Sequence, residues 1–273
     1  MAKSCLFVRG VINIMDLRKV QGYDMKPILF NTEMVKALLD GRKTVTRRVV
    51  KPKYSNTHFE FKHDKYGTTF IELQNDVEGE THGKNEDDST WHKLLGFIEP
   101  KAPYKVGDIL YVRETWQCLN PYSEKEYVYR AGCDFDFAKD IDKWLPSIHM
   151  PKEAARFFLK VTGVRAEKLQ DMDHDSPAKE GIRGYTKDGE LYKFAVSDDW
   201  WIEYHGKHKK EFKGTYWQDM PKNRAIAFSY LWNSTILKED MNRYGWDANP
   251  WVWVIEFEMI SKEDAYAISG NVL

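Results

Sequence analysis

One basic segment, residues 41–48, holds the residues best suited to chemistry, in the order Gly-Arg-Lys-Thr-Val-Thr-Arg-Arg. A threonine hydroxyl attacks a carbonyl carbon only when a base beside it takes its proton, and a lysine can be that base when burial or neighbouring cations lower its pKa. Lys43 and Thr46 are such a pair. Thr46 and Arg48 share one face of a strand, which suits a developing oxyanion. The neighbouring cations are three arginines: Arg42, Arg47 and Arg48.

The same segment also has a purely structural interpretation. Gly41 can end a helix, and basic residues that follow it complement the helix dipole. Threonine at alternate positions is ordinary in a strand. The residues alone leave both interpretations open, and they suggest that Lys43 and Thr46, as cleft residues, can be replaced with little loss of stability.

The net charge of the chain is nearly zero, at −1, so its overall field does not attract a polyanion. Locally, residues 36–53 contain seven Lys or Arg and one Asp, whereas residues 72–88 contain seven Asp or Glu and one Lys. The acidic stretch is typical of a solvated surface. The basic stretch differs because its charges alternate with threonines and follow a glycine.

Composition indicates a folded chain, with 42% hydrophobic and 14% aromatic residues. No apolar stretch approaches the roughly 18 residues that cross a bilayer, and the N-terminus has no signal-peptide pattern. Cys5, Cys118 and Cys133 lie at unrelated spacings that fit neither a disulfide framework nor a metal site. We therefore expect a cytoplasmic protein with no membrane partner, no metal and no cofactor.

The elements that position the basic segment follow from caps and hydrophobic periodicity. Asn31 or Thr32 can cap a helix that Gly41 ends, and Asp175 to Gly181 has the cap, proline and glycine of a very short helix. A third helix is expected over 221–236, with an apolar stripe of Ala225, Phe228, Trp232 and Ile236. Strands are predicted at 44–50, 109–116, 127–130, 157–164 and 251–257.

Two polar, aperiodic segments interrupt this pattern. Residues 53–105 and 183–220 are predicted to be surface insertions outside the main sheet. Residues 1–24 are interpreted as a leader, 25–260 as one domain with the two insertions, and 261–273 as a C-terminal tail. Short strands and scattered helices, without regular alternation of the two, favour an α+β fold built on a small mixed β-barrel.

The order of these segments resembles the ASCH domain family of the PUA-like superfamily. The resemblance covers residues 26–50, 105–182 and 221–258. It depends on the Gly-Arg-Lys-Thr-x-Thr-x-Arg segment, residues 41–48, together with the Gly107-Asp108 turn. It is greatest for the longer members encoded by phages and prophages. It implies a small PUA-like β-barrel with peripheral helices.

The resemblance also implies a function. The family includes a bacterial amidohydrolase that deacetylates N(4)-acetylcytidine with a lysine, a threonine and a glutamate. By motif these are Lys43, Thr46 and Glu180, the last within Ala-Lys-Glu-Gly at 178–181. We therefore expect removal of an acyl group from an N(4)-acylated cytosine or cytidine. The alternatives are a non-catalytic module that binds RNA or a modified base, and a ribonuclease. From the residues alone, Glu180 could equally be a solvated helix acid.

Further residues are candidates for binding the modified nucleoside, the nucleobase or RNA. Arg113 and Glu114 lie in an apolar strand, where they either form an internal ion pair or line a cavity. Trp116 can stack on a base, although a tryptophan in a strand is more often part of the core. With the three arginines of the basic segment, the expected substrate-binding residues are Arg42, Arg47, Arg48, Arg113, Glu114 and Trp116.

Overall fold

A computed structural model describes residues 25–54, 57–65, 67–74, 82–84, 90–92, 97–119, 124–133, 141–197, 200–201 and 219–270. The strands are β1 (Lys26–Leu29), β2 (Val45–Val49), β3 (Thr57–Asp64), β4 (Gly67–Gln74), β5 (His82–Lys84), β6 (Thr90–His92), β7 (Phe97–Ile98), β8 (Ile109–Arg113), β9 (Trp116–Cys118), β10 (Tyr127–Tyr129), β11 (Phe158–Lys168), β12 (Arg183–Thr186), β13 (Tyr192–Ala195) and β14 (Trp251–Ile260). The α-helices are α1 (Thr32–Leu39), α2 (Ser176–Lys179), α3 (Arg224–Ser234), α4 (Met241–Tyr244) and α5 (Lys262–Ser269).

A five-stranded sheet forms the centre of the fold, in the order β1-β8-β11-β14-β2. β1 and β8 are parallel, and the other neighbours are antiparallel. Successive side chains of a strand point to opposite faces, so Ile255 packs with α1 in one hydrophobic cluster and Val254 packs with α3 in another. Both faces are therefore covered by a helix.

The α-helices follow the caps and periodicity of the sequence. The Asn31 side chain accepts a hydrogen bond from the Met34 backbone and so caps α1. On α3, Phe228 and Trp232 of the expected stripe are buried, and Ile236 packs against the same cluster. Of the described residues in the two polar segments, β3, β4 and β7 form one sheet, β5 and β6 a second, and β12 and β13 a third.

The fold is a mixed α+β fold, and the closed barrel is not present among the described strands. β1 and β2 are the two edges of the central sheet, and no backbone ladder joins them within the described part of the chain. The edges are linked by a side chain instead, because Arg48 on β2 donates to the Leu29 carbonyl oxygen at the end of β1, 2.9 Å away. The sheet therefore curves without closing.

The two ends of the chain differ in what the structure shows. The expected leader, residues 1–24, lies outside the described residues. Within the expected C-terminal tail, residues 262–269 form α5, and Ala265 is fully buried against Met25 and Ile109. This helix packs on the core, so the term tail does not describe it. No described helix has the length and apolar character needed to cross a membrane.

Candidate functional site

Lys43 lies immediately after the end of α1, where the chain reverses direction. Gly41 has φ +69°, the left-handed conformation that ends many helices. The Lys43 backbone then donates to the Ala37 carbonyl oxygen, which turns its side chain inward. The Lys43 ammonium donates to Glu180 Oε2 at 2.7 Å, to the Val45 carbonyl oxygen at 2.8 Å and to the Glu180 carbonyl oxygen at 3.2 Å. All three of its N–H donors are thus satisfied in the interior.

Glu180 follows α2 directly and is held by the short helix that the sequence predicts. Asp175 occupies the N-cap position but makes no capping hydrogen bond with its side chain; the Asp173 carboxylate accepts from the Ser176 backbone instead, at 2.7 Å. Glu180 is only 2% exposed, so it is not a solvated helix acid. Its two oxygens bind two cations: Oε2 accepts from Lys43, and Oε1 accepts from Arg47 at 3.1 Å.

Arg47 has a second carboxylate partner, Glu167, which was not among the candidate residues. Its guanidinium donates to Glu167 Oε1 on β11 through Nε at 3.1 Å and through Nη2 at 2.7 Å. Arg47 is on the α3 face of the sheet, with its guanidinium 6.0 Å from the centre of the Phe228 ring. The four charges of Lys43, Glu180, Arg47 and Glu167 sum to zero, which is the condition under which buried charges persist.

Thr46 and Arg48 lie on the opposite face of β2, as expected from strand alternation. Thr46 is 1% exposed, and its hydroxyl oxygen accepts from Arg48 Nη1 at 3.2 Å. The described contacts of Lys43 include no hydrogen bond to Thr46. The Lys43 ammonium does contact the peptide group that joins Val45 to Thr46. Arg48 and Lys43 also lie over the same ring, at 5.8 Å and 5.3 Å from the centre of Phe30.

Burial is the main influence on the charge of Lys43. Loss of water around the ammonium lowers the pKa of Lys43 below its usual 10.5. Glu180 opposes this change, and the charges of Arg48 and Arg47 add to it. The two arginines therefore act on the lysine as the sequence suggests, but their effect is smaller than that of burial.

The remaining candidate residues have other partners. Arg42 pairs with Asp40 and also donates to the Gly181 carbonyl oxygen. Arg113 donates to the Met150 carbonyl oxygen at 2.6 Å. Glu114 is paired on both oxygens with a residue that the sequence analysis did not select, Arg156, at 2.8 Å. Trp116 packs in the cluster that contains Ile109 and Ala265, and so belongs to the core.

A cavity of about 670 Å³ opens beside the basic segment, residues 41–48. Arg48 lines this cavity, whereas Lys43, Thr46 and Glu180 do not. Two aromatic residues, Tyr104 and Trp253, form part of its wall; of these, Trp253 was a sequence candidate for stacking on a base and Tyr104 was not. Its lining consists of Arg48, Val49, Val50, Lys51, Lys53, Glu72, Ile98, Glu99, Pro100, Lys101, Pro103, Tyr104 and Trp253.

No group of three or more His, Cys, Asp or Glu in the described part of the chain is placed to hold a metal ion. His205 and His208, the histidines of the second polar segment, lie outside that part. Comparisons of the chain with protein-family models, with curated proteins and with solved structures gave no match.

Gly181 fixes the position of Glu180, and its replacement by alanine tests this. It has φ +113°, and a Cβ there would lie 2.8 Å from the Ala37 Cβ. Gly181→Ala should therefore cost roughly 1–2 kcal/mol for the left-handed backbone and about 1–3 kcal/mol more for the clash, measured by urea unfolding. The matched control is Gly189→Ala, with φ +81° and no atom within 4 Å. Equal losses in the two variants would contradict a steric role for Gly181.

Proposed function

We propose that the chain is an amidohydrolase that removes an acyl group from an N(4)-acylated cytosine or cytidine, on a fold related to the PUA-like barrels. The observation that carries this proposal is the buried Lys43–Glu180 pair, whose ammonium also donates to the Val45 carbonyl oxygen, one residue before Thr46. A buried lysine with a lowered pKa and a buried hydroxyl three residues further along the chain are the two groups that a nucleophile and its base require. The order of segments that resembles the ASCH family gives the substrate class.

In the proposed reaction, Thr46 is the nucleophile and Lys43 is its base. Neutral Lys43 takes the hydroxyl proton while the Thr46 oxygen attacks the acyl carbon. The resulting oxyanion is stabilised by a guanidinium, that of Arg48. Lys43 then gives its proton to the exocyclic nitrogen as the carbon–nitrogen bond breaks, and water hydrolyses the acyl-threonine ester. Glu180 orients Lys43 and accepts one of its N–H groups throughout.

Arg48 controls access in this proposal. Thr46 and Lys43 are almost fully buried, and a molecule in the adjacent cavity meets Arg48 first. Arg48 holds its position by donating to Thr46, Arg47 and Leu29. A substrate carbonyl can therefore replace the Thr46 oxygen as the acceptor of the Arg48 N–H, which frees the hydroxyl for attack.

The test is incubation of the full chain with N(4)-acetylcytidine and detection of cytidine and acetate. Lys43 must be neutral to act as the base, so kcat/KM should rise as the pH increases. The rise should occur at pH values below 10.5, the usual pKa of lysine. The sign follows from burial, which lowers the pKa and so provides the neutral form at a lower pH. Absence of cytidine from every N(4)-acylated cytosine tested would refute the proposal.

The contacts of the basic segment favour hydrolysis over RNA binding by that segment. A long RNA is bound by cations that face solvent, whereas the side chains of Lys43 and Arg47 are 0% exposed and bind carboxylates in the interior. Arg42 is half-buried and pairs with Asp40. Of the four cations of the segment, only Arg48 lines the cavity.

A further inference from the structure

The cavity beside Arg48 has a positive charge that internal pairs do not neutralise. Four of its lining residues are cationic and two are anionic, in a chain whose net charge is −1. Three of the cations are exposed lysines that form no ion pair with any residue in the described part of the chain: Lys51, Lys53 and Lys101. Unpaired lysines around one opening indicate a site for an anionic group.

One of the two acids has a structural role that reduces its effect on this charge. Glu72 is 2% exposed, and its carboxylate accepts from the Lys53 backbone at 2.9 Å, from the Tyr54 backbone at 3.2 Å and from the Thr57 hydroxyl at 2.9 Å. These donors partly neutralise the carboxylate and fix the backbone that bears Lys53. Glu99, the other acid, is exposed.

The wall of the cavity suits a planar, partly apolar ligand. Trp253 is held by an edge-on contact with Phe70 on β4, with 5.5 Å between ring centres. Tyr104 is fixed by its hydroxyl, which donates to the Pro27 carbonyl oxygen at 2.7 Å. Aromatic side chains are surfaces on which a nucleic-acid base can stack. The cavity volume of about 670 Å³ falls within the range of small-molecule sites, roughly 300–1,000 Å³.

We propose that this cavity binds a phosphate-bearing nucleotide, with the base against Trp253 and Tyr104 and the phosphate among Lys51, Lys53 and Lys101. The proposal rests on the proposed function for the identity of the base, and it narrows the substrate from a free nucleoside to a phosphorylated one. The lysines bind phosphate as point charges with rotatable donors. Binding through this set requires no turnover, so it can be measured separately from hydrolysis.

The experiment is calorimetric titration of the full chain with cytidine and with cytidine 5′-monophosphate. We expect the monophosphate to bind at least about tenfold more tightly, equivalent to roughly 1.4 kcal/mol. The triple variant Lys51→Gln/Lys53→Gln/Lys101→Gln should lose that advantage and keep its affinity for cytidine. Its control has the same change of net charge at exposed lysines that do not line the cavity, Lys222→Gln/Lys238→Gln/Lys262→Gln. The control should bind as the parent does.

A second arm identifies the source of the phosphate. The parent is also titrated with a single-stranded cytidine trinucleotide. If the trinucleotide binds more tightly than the monophosphate, and this additional affinity is lost in the cavity triple variant, the phosphate belongs to a nucleic-acid strand. Equal binding assigns it to a mononucleotide, and both results support the site. If the cavity triple variant fails to fold, the three single Lys→Gln variants replace it.

Two results would overturn the site: equal affinity of the parent for cytidine and its monophosphate, or equal weakening of monophosphate binding in both triple variants. The second result would mean that net charge alone controls affinity. The outcome is independent of the hydrolysis assay. Phosphate-dependent binding without deacylation refutes the proposed function alone, and deacylation without phosphate dependence refutes this site alone.

Discussion

Replacement of Lys43 by methionine should lower kcat/KM for N(4)-acetylcytidine by roughly 10²–10⁴-fold, the usual contribution of a general base. Methionine retains most of the lysine volume and has no basic nitrogen, and the arginines nearby stay protonated. Thr46→Ala should cause a loss of similar size, because it removes the nucleophile. The double variant should be little worse than either single variant, since a nucleophile and its base act as a unit. Steady-state kinetics of all three measures this.

The chain supplies matched controls for both substitutions. Thr44→Ala removes an exposed threonine hydroxyl two residues from Thr46, and Lys238→Met removes an exposed lysine; both should leave kcat/KM within about twofold, since surface substitutions usually change little. Activity must be expressed per folded molecule, because the structure shows Lys43 to be 2% exposed and ion-paired. The structure contradicts the premise that Lys43 is a cleft residue, and we therefore expect its replacement to lower stability. Retention of parental kcat/KM by Lys43→Met would exclude Lys43 as the base.

The sequence was most informative where a local signal determines structure. The Asn31 cap, the left-handed Gly41 and the alternation of β2 are all properties of a few adjacent residues, and each appears in the structure. The same is true of the apolar periodicity of α3. These signals place Lys43 at a turn, and Thr46 and Arg48 on one strand face, without knowledge of the tertiary structure.

Partners that are distant in sequence could not be predicted in this way. Glu180 is 137 residues from Lys43, and only the resemblance to a known family selected it. Glu167 is 120 residues from Arg47, and their contact depends on the register of β11, β14 and β2, which no local pattern encodes. Glu167 also lies beyond the strand predicted at 157–164, because β11 continues to Lys168, so no predicted element pointed to it as a partner of Arg47.

The cavity was missed for a different reason. Its walls come from the end of β2, from β14 and from parts of the segment 53–105, which was assigned to the surface because it is polar. Glu72, inside the acidic stretch that we interpreted as solvated, is buried and accepts three donors. Composition describes the average exposure of a stretch, whereas the site depends on single residues within it.

Glu180→Gln should be the most destabilising of these substitutions, with a loss of about 3–5 kcal/mol in the free energy of unfolding. Glu180 neutralises two buried cations at once, and a glutamine there leaves Lys43 without a carboxylate partner and Arg47 with Glu167 alone. The exposed control is Glu256→Gln, which breaks a surface pair with Arg165 and should cost less than about 1 kcal/mol. Urea unfolding at pH 7 measures both losses, and equal losses would contradict a buried role for Glu180.

The pH dependence of the Glu180→Gln variant tests the cause of its instability. Burial lowers the pKa of Lys43, and Glu180 opposes that effect, so removal of Glu180 should lower the pKa of the folded state further. Between that lowered pKa and 10.5, the unfolded chain binds more protons at this lysine than the folded chain does, and stability must rise with pH. Relative to the parent, Glu180→Gln should therefore regain stability as the pH increases from 7 towards 10. The matched comparison is Lys43→Met with and without Glu180→Gln. Neither protein has a titrating amine at this position, so the loss of stability caused by Glu180→Gln in the Lys43→Met background should be independent of pH in that range. If the double variant regains stability relative to Lys43→Met as steeply as Glu180→Gln does relative to the parent, the charge of Lys43 is not what Glu180 stabilises.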